Sequence, residues 1–329
     1  AVACVRDAPL WQRCVAAGIT VHHLPESGGL GAVLALRQLC GEIDPAIIHA
    51  HTSRTHQVAR LGGRGRPLVV SRRVSFSLRK KISSTWKYGA VDRFIAVSRS
   101  AREGLLGIGV KPERITVIHD GVDETVLDAA RPIAWTTLGL PPDAEVVLCV
   151  AALSADKDHA GLLAAWPAVA TARPRAHLVL AGGGTLEEAL RGQIRDDHLD
   201  RVHLLGFRDD IPALLKGATL LVMNSRNEGL CSAILEAKRC GLPVVSTAVG
   251  GIPEIITHDV DGFLLGIRDP ALLAQAVIDL LGDAPRRERY AAAARAASAT
   301  TTASAMAEAH LAVYRDLLGG DAWAAMEAS

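Results

Sequence analysis

The chain has 329 residues, 49% of them apolar and 22% charged, with a formal net charge of +1. This is a globular composition with apolar mass for two domains of ordinary size. It argues against a generic nucleic-acid binder, and no apolar run reaches the roughly 18–20 residues of a membrane span. Cysteines at 4, 14, 40, 149, 231 and 240 form no C-x-x-C pair. They read as reduced core thiols of a cytoplasmic protein, not as metal ligands or disulfides.

In chain order, AVACV, GITVHHL, AIIHAH, PLVVSR, RFIAVS and ITVIHD read as strands. Helical spacing falls between them near 9–17, 29–41, 54–61, 78–89 and 99–107. A pause at 121–144 carries Pro132, Pro141 and Pro142 and holds the expected linker, 126–142. Strands resume with EVVLCVAAL, AHLVLAGG, RVHLLGF, TLLVMN, PVVST and DGFLLG, with helices expected at 158–171, 185–196, 210–216, 231–240 and 270–281. The alternation predicts an α/β protein of two doubly wound, Rossmann-like domains, 1–125 and 143–300, facing a central cleft. The Ala-rich tail reads as terminal helices, the last of which, within 301–329, is expected to pack back on the first domain.

The densest chemistry lies in TLLVMNSRNEGLCSAILEAKRCG, a buried strand, a short polar loop and a helix. A helix amino end presents unpaired N–H groups and the positive end of its dipole, which suits a phosphate. Gly229 allows close backbone approach there. Glu228 precedes the helix and Glu236 follows eight residues on, about 12 Å along a helix axis. Carboxylates so placed can accept from hydroxyls on either side of a diphosphate, a sugar and a ribose. The residues alone are equally compatible with a helix-dipole partner at Glu228 and a solvated Glu236. Further upstream, VAALSADKDHAGLL places Lys157 in a strand-to-helix loop, where a cation can neutralise a leaving diphosphate. Asp156-Lys157-Asp158 also spells D-x-D, here taken as coincidental.

The order E-G-x6-E, A-x3-G-x-PVV and GG-x2-E resembles the donor site of the retaining family 4 glycosyltransferases of the GT-B fold. The matching residues are Glu228, Gly229, Glu236, Gly241, Pro243, Gly250, Gly251 and Glu254. The likeness extends to AVSRSAREGLLGIGVKPERITVIHDGVD and LLGFRDDIPALLKGATLLVMNS. It implies a retaining, metal-independent transferase that moves a sugar from a UDP- or GDP-type donor to a glycan or lipid-linked acceptor, with no cofactor. It implies Glu228, His51 and Lys157 as catalytic residues, with His51 reaching the reacting sugar from the first domain. It further implies donor contacts from Glu236, Gly229, Leu230, Cys231, Gly183, Phe207, Arg208, Gly250, Gly251 and Glu254. Two departures stand out. Ala152 occupies the place of a phosphate-binding arginine, leaving Arg72, Arg73 and Arg226 as candidate substitutes. The family also begins with one more strand-helix unit than AVACVRDAPLW provides, so the chain is expected to enter at the second strand.

IIHAHTSRTH clusters His49, His51 and His56 without carboxylate or thiolate company, so a structural histidine is the alternative to the sugar-facing role. Gly29-Leu-Gly31 reads as helix-start glycine rather than a dinucleotide fingerprint. Residues 72–93 carry seven basic side chains interleaved with Phe76, Leu78, Ile82, Trp86 and Tyr88. That pattern fits either a solvated helix with an apolar stripe or peripheral contact with an anionic membrane at the inner face of the cell membrane. Two rival readings are a nucleotide-sugar epimerase on the same fold and a degenerate sugar-nucleotide-binding fragment.

Overall fold

Short apolar runs bounded by helical stretches favour parallel pairing, and all twelve expected strands form. The computed structural model describes residues 1–26, 29–74, 88–266, 269–320 and 323. In the first half, β1 (Val2–Cys4) pairs with β2 (Val21–His23), and β3 (Ile48–Ala50), β4 (Leu68–Arg72), β5 (Arg93–Ala96) and β6 (Ile115–Val117) form a four-stranded parallel sheet. In the second half, β7 (Glu145–Val150), β8 (Ala176–Ala181), β9 (Val202–Gly206), β10 (Leu220–Met223), β11 (Val244–Thr247) and β12 (Phe263–Leu265) form a six-stranded parallel sheet. Its order is β12-β11-β10-β7-β8-β9. The chain winds outward in one direction from β7 and in the other from β10, so the switch point lies between these two strands. Ligands of such sheets bind beyond the carboxyl ends of the strands at that point.

Helices α1 (Pro9–Ala16), α2 (Leu30–Ile43), α3 (Ser53–Gly62) and α4 (Arg99–Leu106) accompany the first sheets. Their starts follow local chemistry. Thr52 and Thr55 form a capping box at α3, and Ser98 Oγ accepts from Ala101 N at α4. Between the halves, α5 (Glu124–Ala129) interrupts the expected loop, capped by Asp123. The second sheet carries α6 (His159–Ala172), α7 (Glu187–Asp196), α8 (Ile211–Gly217), α9 (Ser232–Cys240), α10 (Pro270–Gly282) and α11 (Ala284–Ala297). Gly241 closes α9 in the left-handed conformation, φ +68°. The expected helix at 78–89 falls mostly on 75–87, outside the described residues.

The last helix, α12 (Ala303–Leu318), returns to the first half. Val313 joins Val69, Ile95 and Ile118 in a separate apolar cluster, and Arg93 pairs with Asp316 at 2.7 Å. Tyr314 Oη lies 2.6 Å from His49 Nδ1, while His49 Nε2 meets Ser71 Oγ at 2.8 Å. His49 is thus a structural tie between sheet and tail. Among the described residues no helix is long and apolar enough to cross a membrane.

Candidate active site

The loops that leave β7 and β10 meet at the switch point. A 3-10 turn at Ala155–Lys157 carries Lys157, and the loop after β10 carries Ser225 and Glu228. Lys157 Nζ donates to Glu228 Oε1, and Ser225 Oγ reaches the same oxygen at 2.8 Å. The buried carboxylate therefore holds the lysine in place. Two residues expected to act separately form one ion pair.

Helix α9 begins at Ser232, so Glu228 to Cys231 are not helical and the axial spacing of about 12 Å does not apply. Cys231 stands at the amino end with φ +80° and supplies no side-chain cap. Residues Leu230 to Ala233 border a cleft pocket of about 310 Å³ together with Ala151, Ala152, Lys157, Glu228 and Gly229. Arg73 and Asp120 complete it from the first half, joined by a bidentate pair at 2.7 and 2.8 Å. The pocket thus combines two cations, two carboxylates and an uncapped helix end.

Glu236 lies one turn into α9 and is half-buried, with no hydrogen bond or ion pair to any described residue. Burial raises its pKa. Such a carboxylate is suited to accept from a ligand hydroxyl. Burial also pushes the Cys149 thiol up to about 12 and raises that of Cys231, so neither is a ready nucleophile.

Of the expected site residues, the structure brings Lys157, Glu228, Gly229, Leu230 and Cys231 together at the pocket. Others are placed differently. A Cβ on Gly229 would lie 2.0 Å from the Arg73 carbonyl oxygen, so this glycine is required by the approach of the opposite wall. Gly251 is likewise pressed against Gly229 O and Ser98, and Gly250 adopts φ +56°. Glu254 is not in the pocket lining. Its carboxylate accepts from Arg99 N and Ser100 N at 2.9 and 3.1 Å and meets His119 Nε2 at 3.0 Å. It therefore caps α4 across the cleft, a contact between the two halves.

In AGGG the sterically demanding glycines are Gly182 and Gly184, which pack on the 151–153 loop. Gly183 has room for a Cβ, with Phe207 N 3.9 Å away. Phe207 is 73% exposed, and Arg208 is engaged by Asp210 in a two-pronged pair at 2.6 and 2.7 Å. His51 follows β3 directly and is exposed, with its ring 4.1 Å from that of His49. Desolvation first, then the Arg73 and His310 charges, lower its pKa, which favours the neutral ring. Asp158 is buried and accepts from Arg226 at 2.5 Å, so this member of the D-x-D is already engaged. Among the described residues, no group of three or more His, Cys, Asp or Glu could hold a metal ion. Asp120 and Ser225 were missed in the sequence, where each sits among ordinary loop residues. Most of the basic segment lies outside the described residues; Arg72, Arg73, Tyr88 and Arg93 are the placed members of its named charges and rings.

Two family models match in tandem, Glycosyltransferase Family 4 over residues 5–126 and Glycosyl transferases group 1 over 136–297. HepE of Anabaena, solved with UDP and glucose, superposes with a TM-score of 0.83 at 23% identity, over 96% of this chain and 91% of that one. The two models match glycosyltransferases over most of the chain, and the superposition gives it the GT-B fold. Similar proteins include a D-inositol 3-phosphate glycosyltransferase of Catenulispora acidiphila, 29% identical over 92% of this chain and 82% of that protein. Another is a UDP-Gal:alpha-D-GlcNAc-diphosphoundecaprenol alpha-1,3-galactosyltransferase of Escherichia coli, 28% identical over 77% of this chain and 70% of the relative. Three further relatives are spanned over 51, 52 and 57% of their own length.

Proposed function

We propose that this glycosyltransferase moves a sugar from a nucleoside diphosphate donor to an acceptor hydroxyl, with retention at the anomeric carbon. The observation that carries the reading is the meeting of Lys157, Glu228 and the uncapped amino end of α9 at the β7–β10 switch point. The diphosphate is placed over that helix end, where the dipole and Lys157 take up charge as the glycosidic bond to the donor breaks. Those fixed charges do the work that a metal ion does in other transferases. Glu236 accepts from the ribose hydroxyls, and His51 faces the sugar from the other wall in its neutral form.

Front-face displacement gives the retained configuration: the acceptor oxygen attacks from the side that the diphosphate leaves, and the departing phosphate oxygen takes the acceptor proton. The names of the two relatives, with D-inositol 3-phosphate and a diphosphoundecaprenol-linked sugar, support a glycan or lipid-linked acceptor in envelope or polysaccharide synthesis. Work at the cytoplasmic face of the membrane, with residues 72–93 touching anionic lipid, belongs to the same proposal.

The test is a thermal-shift panel of nucleoside diphosphates, followed by NMR of the product formed from the matching sugar donor and candidate acceptors. An axial-donor sugar transferred with its configuration kept supports the reading; inversion contradicts it. Donor epimerised without acceptor marks the epimerase instead. Ala152 favours one second reading, a non-catalytic nucleotide-sugar binder. Binding without turnover, unchanged by Glu228→Ala, is its signature.

A further inference from the structure

Lys157 does not bring an unspent charge to the pocket. Its ammonium is bound to Glu228, and Asp120 adds a second carboxylate to the same lining. Lys157 and Arg73 therefore only balance Glu228 and Asp120. The α9 amino end adds about half a positive charge, little against a nucleoside diphosphate. Ala151 and Ala152, which line the pocket beside Lys157, supply none. A second cation has to be free to leave its carboxylate.

Three arginines are the candidates. Arg226 is held by buried Asp158 at 2.5 Å and is not part of the pocket lining. Arg72 ends β4 and is not part of it either. Arg73 is. Its side chain is 51% exposed while that of Asp120 is 13% exposed, so the carboxylate is the fixed member of the pair and the guanidinium the movable one. The two contacts to Asp120 occupy Nη1 and Nη2 from one side, leaving Nε–H and further Nη–H groups for another acceptor. The Arg73 backbone is fixed against the donor loop, because its carbonyl oxygen occupies the space a Gly229 side chain would need.

We propose that Arg73, presented from the opposite wall of the cleft and docked on Asp120, is the second diphosphate-binding cation of this chain. The proposal rests on the donor reading above and extends it. It makes diphosphate recognition depend on both halves of the protein at once, since Lys157 comes from one and Arg73 from the other. A guanidinium offers two parallel N–H bonds to phosphate oxygens, which Ala152 cannot.

Calorimetric titration of the full chain with UDP, UMP, GDP and GMP tests it. The wild-type protein is expected to bind one diphosphate at least tenfold tighter than its monophosphate. Arg73→Ala is expected to weaken diphosphate binding about 10- to 100-fold, with monophosphate affinity changed less than twofold. The unchanged monophosphate affinity also reports a folded site. Arg73→Lys, which keeps the charge without the fork, is expected to fall between, and it serves as the test if the alanine variant unfolds. Arg226→Ala is expected to match wild type for all four ligands. A wild-type diphosphate preference that Arg73→Ala and Arg73→Lys leave intact, or that Arg226→Ala abolishes, overturns the role of Arg73 and spares the donor reading. No binding of any of the four by the wild-type protein overturns both.

Discussion

The two walls of the cleft differ in how their site residues are held. On the second-half wall, β7 is buried from Val146 to Cys149 and β10 throughout, and each ends directly in a loop that carries a site residue. Lys157 and Glu228 then fix each other. On the first-half wall, β3 covers three residues and stops just before exposed His51, while Arg73 and Asp120 follow β4 and β6 on separate loops. A deeply buried strand fixes where its loop begins, so the first kind of wall holds Lys157 and Glu228, 71 residues apart in the chain, in one fixed pair. The second kind assembles its site from scattered residues and can exchange partners.

The strongest way to break this contrast is Lys157→Met. If the second-half wall holds the leaving group, turnover falls by about 10²–10³-fold, measured with the donor that the thermal-shift panel identifies. Turnover within a factor of three of wild type would move the leaving-group chemistry to the other wall.

Acid should weaken both walls. Burial first, with neighbouring His51 and His310, depresses His49 to about 3, and burial with the Lys157 charge depresses His159 to about 4. Each takes up a proton near 6.5 when unfolded but not when folded. The unfolded state therefore binds more protons as pH falls below about 6.5, and stability drops until the folded values are reached. At pH 5 each histidine should cost about 2 kcal/mol. Urea unfolding at pH 7 and pH 5, with His49→Gln and His159→Gln removing their shares, checks this. A midpoint that does not move between the two pH values contradicts it.

The smallest effect separates two adjacent glycines. A Cβ at Gly184 would lie 2.4 Å from Leu153 O, whereas Gly183 has its nearest neighbour at 3.9 Å. Gly184→Ala should destabilise by about 1–3 kcal/mol and Gly183→Ala by less than about 0.5 kcal/mol, read from thermal or urea unfolding. Equal losses would mean that the 151–153 loop does not pack as tightly as the rest of its wall.

The strands were legible because β-branched runs bounded by glycine, proline and charge have few other uses in a chain of this kind. The loop before α9 was legible because a buried strand, a glycine, two carboxylates and a helix start fall close together in the chain. What sequence could not show was partnership. Glu254 matches a donor-site position, yet its carboxylate caps α4 in the other half. Gly229 looks like a phosphate glycine, yet what it avoids is the Arg73 carbonyl. Asp120 sits in an unremarkable IHDGVD and becomes a site residue only when β4 and β6 bring it to Arg73. The short α5 was hidden in a proline-bearing pause, its start marked only by Asp123-Glu124. Each of these depends on contacts far apart in the chain.

Glu236 tests the central claim most directly, because its half-buried carboxylate makes no hydrogen bond or ion pair among the described residues. The measurement is the affinity of wild type and Glu236→Ala for the preferred nucleoside diphosphate and for its 2′,3′-dideoxy form. If a nucleoside diphosphate lies along α9 with its ribose on Glu236, wild type prefers the ribose form by about 1–3 kcal/mol and Glu236→Ala shows no preference. A preference that survives intact in Glu236→Ala would contradict that placement.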